Sequence, residues 1–504
     1  MLRLLTTFGL MILLLAGCGR QEAVQQETAP AVAPETASAP AAPLPRNCPD
    51  CHAMDLDPNH AMACTICHQG HEPAATAELA HIGLNSRPAH PDRMAATCGP
   101  CHGALVEQAA GSLHFTLANA VNLVRSRFGA TEQLASLTEI PWRESPATPL
   151  DLVDDLLRRR CLRCHVYYEG DDYGETRHGT GCAACHLDYG AGRLQSHRFT
   201  RLPADTACLR CHYGNRVGGD YYGRFEHDYS WDFRTPFATG AGRRPYGVEY
   251  HHLAPDIHRQ KGLACIDCHA GHHRPDSAAI RQSVPTITCR TCHAVAPPGA
   301  TAAGLPHLER EDDKIFLRTR LGQGRLEVPQ LRHEAHQIFG DRVACPACHA
   351  QWGYNDQGTH LLRDDRPEAD EAWLPVNVQG SSEVEEMVAY GFSGDPPGPV
   401  MADKISGAPQ RGIWYKGFEQ RRWTPLLLDR DEFGIVSVVR PLLDLHLSFV
   451  NRTGEVVFDN VGPTGAATLP YTPHTIGRAG LFYRSRLREA GVLPVEGNKV
   501  IGEQ

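Results

Sequence analysis

Eighteen of the nineteen cysteines in this 504-residue chain stand in nine copies of one pattern, Cys-x-x-Cys-His. The copies are Cys48/Cys51/His52, Cys64/Cys67/His68, Cys98/Cys101/His102, Cys161/Cys164/His165, Cys182/Cys185/His186, Cys208/Cys211/His212, Cys265/Cys268/His269, Cys289/Cys292/His293 and Cys345/Cys348/His349. Two thiols separated by two residues reach the two vinyl groups along one edge of a porphyrin. The histidine that follows then points at the iron as its proximal ligand. A zinc site needs paired Cys-x-x-Cys units to complete four ligands, which an odd number of units does not supply. A redox dithiol needs no adjacent histidine, and a disulfide framework would not place one after every second cysteine. The pattern predicts nine covalently attached haem c groups.

Each such iron has a sixth coordination position. Nine of the 28 histidines are proximal, which leaves nineteen. That surplus points to a second histidine on most irons. The distal candidates are His60, His71, His114, His178, His197, His227, His251, His252, His258, His272, His336 and His474. Met54, Met62 and Met94 are rival ligands near the first three motifs, and methionine would raise the potential. No residue is singled out as catalytic.

The composition says how these groups must be positioned. Only 42% of residues are hydrophobic, while the chain has 47 glycines and 37 prolines. Residues 46–360 hold all nine motifs, about 35 residues for each, too little chain to build an ordinary side-chain core. The expected fold is that of a multihaem cytochrome c: mostly irregular loops with short α-helices wrapped around stacked haems. The first cysteines are spaced by 16, 34, 63, 21, 26, 57, 24 and 56 residues, so there is no fixed repeat. Leu113–Phe128 and Pro149–Arg160 show apolar residues at roughly helical spacing. Residues 361–504 contain no cysteine. Strand-like runs at Ile435–Val439, Leu445–Val450 and Glu455–Phe458, with a turn at Asn451–Gly454, predict a smaller haem-free, β-containing C-terminal domain.

The chain begins with Arg3 and an apolar run from Leu4 to Leu15, too short to span a bilayer as a mature helix. It ends in Leu15-Ala16-Gly17-Cys18, which resembles the bacterial lipoprotein cleavage box. That resemblance implies a signal peptide at 1–17, lipidation of Cys18, and, with Gly19 rather than Asp next, the outer membrane. Residues 18–45 are rich in Ala, Pro, Glu and Gln without periodicity and read as a disordered tether. A net charge of −9 argues against nucleic acid as a partner.

Taken together, the chain resembles the multihaem c-type cytochrome lipoproteins that move electrons through the bacterial outer membrane. The motifs and lipid box carry the resemblance, joined by Ser112–Ala118, Gly214–Gly218, Phe225–Tyr229, Tyr250–Leu253, Arg421–Trp423 and Pro470–Thr475. In similar proteins the last stretch runs into another haem motif; here it continues through Ile476 to Gly480 without cysteine. The resemblance implies respiratory or extracellular electron transfer, with other cytochromes and an outer-membrane barrel as partners, and leaves room for filaments or oligomers. A different class remains beside it: a multihaem reductase of a small N, S, Se or Te oxyanion with one open haem. The lysine that replaces the proximal histidine in nitrite-reductase-type enzymes is absent from all nine motifs.

Overall fold

A computed structural model describes residues 45–212, 222–226, 248–252, 255–269, 287–294, 307–322, 324–353, 355–357, 359–367, 381–391, 399–416, 420–422, 426–442, 444–465, 468–480 and 482–494. Cys18, the tether, His227 and His272 lie outside these, as do the side chains of His251 and His252.

The haem-motif region is built from short helices joined by loops, and many of the helices coincide with the motifs themselves. The helical spacing over Leu113–Phe128 resolves into two helices, Leu113–Thr116 and Ala118–Arg127. Leu117 breaks them by adopting a left-handed conformation (φ 46°, ψ 16°). A branched side chain is disfavoured there, so nothing in the residue type announces the break. The three-stranded sheet Leu308–Glu311, Lys314–Arg318 and Arg325–Glu327 lies within the motif region and has no counterpart in the expected loop-and-helix fold.

Helix Pro149–Arg159 forms where the sequence starts one. The Thr148 hydroxyl accepts from the Asp151 N–H (3.1 Å) and the Asp151 carboxylate accepts from the Thr148 N–H (3.0 Å). Pro149 occupies the first turn, where a missing N–H is harmless. The helix lays Leu152, Val153 and Leu156 onto a four-stranded sheet. That sheet runs in the order Ile413–Lys416, Thr359–Asp364, Leu445–Val450, Val456–Val461. Its central pair is parallel and its outer pairs antiparallel. Trp414, Ile413, Leu447 and Phe449 are all 2% exposed or less. A helix between the third and fourth motifs and a C-terminal sheet therefore share one core. The strand Thr359–Asp364 spans the expected boundary at 360/361.

The segment Tyr471–Gly477 leaves this β region to brace the motifs. The Tyr471 N–H donates to the Val438 carbonyl (2.8 Å) in the sheet Leu427–Arg430, Val436–Pro441, Thr468–Pro470. The Gly477 N–H donates to the His349 carbonyl (2.9 Å), and the Ile476 carbonyl accepts from Ile257 (3.0 Å). His474 is thereby held between two motifs.

Candidate haem sites

In most motifs the five residues make one helical turn, closed by a hydrogen bond from the histidine N–H to the carbonyl of the first cysteine. The bond is 2.9 Å in the first motif, 2.8 Å in the second, third, sixth and seventh, and 3.0 Å in the fifth. The eighth and ninth motifs are the helical turns Cys289–His293 and Cys345–His349. Such a turn brings both thiols and the imidazole to one side of the chain, the disposition that a porphyrin edge and its iron require.

Seven of the proximal histidines face a second histidine. The ring centres lie 6.1 Å apart for His52 and His81, 6.2 Å for His60 and His102, and 5.8 Å for His68 and His197. They lie 6.1 Å apart for His114 and His212, His258 and His293, His269 and His474, and His336 and His349. An imidazole–metal bond is about 2 Å, so two imidazoles on opposite sides of one ion hold their ring centres roughly 6 Å apart. One pair at this distance is also an ordinary aromatic contact. Seven pairs within 0.4 Å of each other, each with one member from a different motif, have the spacing that an intervening iron would require.

The outer nitrogens support the same reading. Nδ1 lies 2.9 Å from the Asn85 carbonyl in His68, 2.7 Å from Pro329 in His293, 2.9 Å from Gly477 in His349 and 2.7 Å from Thr200 in His186. A carbonyl only accepts, so Nδ1 carries the proton and Nε2 keeps its lone pair, the form and orientation of a metal-bound imidazole. Among the second histidines, His60 Nδ1 sits 2.9 Å from Asp57 and His258 Nδ1 3.3 Å from Asp256. Burial pushes the His197, His293 and His336 rings below the ordinary histidine value, which keeps them neutral as ligation needs. Met54, Ile66, Leu79, Ile82, Leu84 and Leu105 form a strongly exposed apolar surface around the first three motifs. A porphyrin face would cover it. The residues present therefore fit haem c with two imidazole ligands.

The motif thiols differ in exposure. Cys51 of the first motif and Cys101 of the third are exposed, whereas Cys48 and Cys98, their partners in the same motifs, are half-buried. Cys161, Cys185 and Cys289 are exposed as well. A thiol that bonds a vinyl group must be open to the porphyrin edge, so this exposure suits attachment. Cover for Cys51 and Cys101 would come from the ring and not from loops.

The thiols also report which motifs are neighbours. Cys48 and Cys64 lie with Glu72 so that their ligand atoms are within 4.8 Å of one another. Glu72 pushes the Cys48 thiol up to about 11. Cys98 and Cys182, Cys208 and Cys265, Cys289 and Cys345, and Cys164 and Cys211 are close enough to shift each other's ionisation. Cys67 feels the charge of Cys98 and Cys101, Cys185 that of Cys208, and Cys268 that of Cys292. The Asp205 carboxylate, in the helix of the sixth motif, accepts from the Cys265 N–H (2.8 Å) and ties that motif to the seventh.

The structure thus brings His60, His114, His197, His258, His336 and His474 opposite proximal histidines. It does so for neither His71, which is exposed, nor His178, which is buried. Met94 is 4% exposed and packs in an apolar cluster with Cys98 and Cys182. His81 was missed. It lies at the C-cap of the short helix Ala77–Ala80, at no regular distance from a motif, and only the surplus of histidines pointed to it. No known family, curated protein or solved structure matches the chain.

Proposed function

We propose that this is an exported, lipid-anchored nonahaem c-type cytochrome that carries electrons along mainly bis-histidine haems at the outer membrane, in respiratory or extracellular electron transfer. The observation that carries the reading is the set of seven histidine pairs with ring centres 5.8–6.2 Å apart. Haem c supplies one-electron chemistry when bound. Each pair of imidazoles would hold one haem c iron, and without a methionine its potential would stay low. Backbone carbonyls on Nδ1 fix the ring orientation of His68, His186, His293 and His349. The neighbouring thiols order the sites first, second, third, fifth, sixth, seventh, eighth, ninth, a line from one end of the region to the other. Through Cys18 the chain would sit on a membrane beside other cytochromes and a barrel.

Intact mass after acid extraction should show nine haems. In His474→Ala the mass change should be that of the substitution alone, because attachment needs only the motif. One haem, that of His269, should turn from low to high spin. A His474→Ala spectrum identical to the parent's would remove His474 from the ligand set, and a mass with fewer haems would overturn the count. Cys18→Ala should move the protein from the membrane fraction to the soluble exported fraction, or block its maturation. Persistence on salt-washed membranes would mean another surface holds it.

A further inference from the structure

A cavity of about 380 Å³ opens at the seam where helix Pro149–Arg159 meets the four-stranded sheet. Five arginines line it. Arg159 comes from the last turn of the helix and Arg363 from the strand Thr359–Asp364. Arg411 ends the strand Pro409–Arg411, Arg452 sits in the turn Asn451–Gly454, and Arg143 lies in the segment before the helix. Three carboxylates, those of Asp155, Asp365 and Glu144, stand against these five cations.

The carboxylates do not use up the donors. Asp155 lies 3.5 Å from Arg159 and 3.4 Å from Arg363, and it also accepts from the Trp414 indole. Asp365 accepts from Arg363 Nε (2.8 Å) and Nη2 (2.6 Å). Arg363 Nη2 donates to the Glu144 carbonyl as well, and Arg159 Nη2 to the Gly412 carbonyl. Left over are Arg159 Nε and Arg363 Nη1, two buried N–H groups without a hydrogen-bond partner, on side chains 1% and 2% exposed. A buried donor left unmade is costly, and it commonly marks the place of a water or ligand. The outer part of the lining repeats the demand. Arg143 is held by Asp151 (2.8 Å), but Arg411 and Arg452 are exposed and have no ion-pair partner among the described residues.

We propose that this cavity binds a small organic anion carrying two oxyanion groups, one on the buried pair Arg159 and Arg363 and the other on the exposed pair Arg411 and Arg452. The site needs no haem and goes beyond the electron-transfer reading. Guanidinium forks match the paired oxygens of carboxylate and phosphate, and both groups share that chemistry. The volume is roughly twelve times the share of one water in the liquid, so an inorganic ion would leave most of it unfilled. It falls at the lower end of the range for small-molecule pockets. Phe449, on which Arg363 stacks at 4.7 Å, and Trp142 give the lining an apolar side for a carbon skeleton.

The test is calorimetric titration of the full-length haem-bearing protein at fixed ionic strength. Citrate and fructose 1,6-bisphosphate are the probes, and propionate is the comparison with one group. One or both probes should bind at one per chain. Binding of citrate alone would make the ligand a carboxylate, and of the bisphosphate alone a phosphate. Propionate should bind at least tenfold more weakly. Arg411→Gln and Arg452→Gln should each weaken binding at least threefold, and together at least tenfold. The unfolding temperature without ligand should stay near the parental value in both, because the two side chains are exposed and outside the buried network. Arg193→Gln removes the same charge from the exposed strand Arg193–Ser196, which does not line the cavity, and should keep the parental affinity. Binding of neither probe overturns the proposal, as does propionate binding as tightly as citrate. Equal losses in Arg193→Gln and Arg411→Gln would reduce the effect to overall charge and overturn it too.

Discussion

Replacing His114 by methionine is expected to cut electron flow through the protein more deeply than removing a whole haem from the fourth motif. His114 faces His212 of the sixth motif, and that motif touches the fifth, the seventh and the fourth through Cys185–Cys208, Cys208–Cys265 and Cys164–Cys211. In the proposed order, an electron passing from the first five motifs to the last three would have to cross it. Methionine in place of an imidazole raises the potential. For a one-electron site each rise of about 60 mV deepens the well tenfold. A rise of twice that slows escape on the order of a hundredfold if the rest of the line is unchanged. The fourth motif lies off the line, so Cys161→Ala/Cys164→Ala should leave end-to-end current near the parental value. A potentiometric titration of His114→Met should show one haem moved upward and eight unmoved. Current through protein bridging two electrodes should fall at least tenfold. Equal losses in both variants would mean the fourth motif is in series and would refute that order.

How much of this was open to reading depends on the distance over which each feature is encoded. The motifs are local, and attachment chemistry needs only five consecutive residues. The start of helix Pro149–Arg159 is also local, written in Thr148, Pro149 and Asp151. Ligand pairing is a tertiary matter. His60 stands four residues ahead of Cys64 yet faces His102 of the third motif, and His197 follows the fifth motif yet faces His68 of the second. Spacing flagged His60 and the surplus of histidines flagged His197 as ligand candidates, and neither signal named the motif each one faces. His81 carried no spacing signal at all. Nor did the motifs tell which thiols the chain leaves open: Cys51 and Cys101 read like every other second cysteine. The β region was legible in its alternating Val436–Val439 and Leu445–Val450. Its first strand was not, because Thr359–Asp364 follows the last motif by only ten residues and pairs in parallel with a strand some 86 residues later. In the fourth motif the Tyr167 N–H donates to His165 Nδ1 (3.0 Å), the reverse of the polarity at His68, His186, His293 and His349, and no sequence signature marks it, since all nine motifs read alike.

Asp155→Ala is expected to be the most destabilising single change in the shared core, at about 3–5 kcal/mol, the usual cost of stripping a counter-charge from a buried ion pair. Asp155 is 2% exposed on helix Pro149–Arg159. Its carboxylate accepts from the Trp414 indole (2.7 Å) and lies 3.5 Å from Arg159 and 3.4 Å from Arg363. Both guanidinium groups are at most 3% exposed, and Arg363 also stacks 4.7 Å from the centre of Phe449. Without Asp155 the nearest remaining carboxylate is Asp365, already paired with Arg363 at 2.6 Å. One carboxylate would then face two buried cations, and the Trp414 N–H would lose its acceptor. Asp155→Asn keeps an oxygen for the indole while removing the charge, so its cost should fall between the parent and Asp155→Ala. Calorimetric unfolding would rank the three proteins, and intact mass should show nine haems in each, because no attachment residue is touched. A loss below about 1 kcal/mol in Asp155→Ala would place the network on a wet surface, where such pairs contribute little. The helix would then not be what fastens the motif region to the sheet.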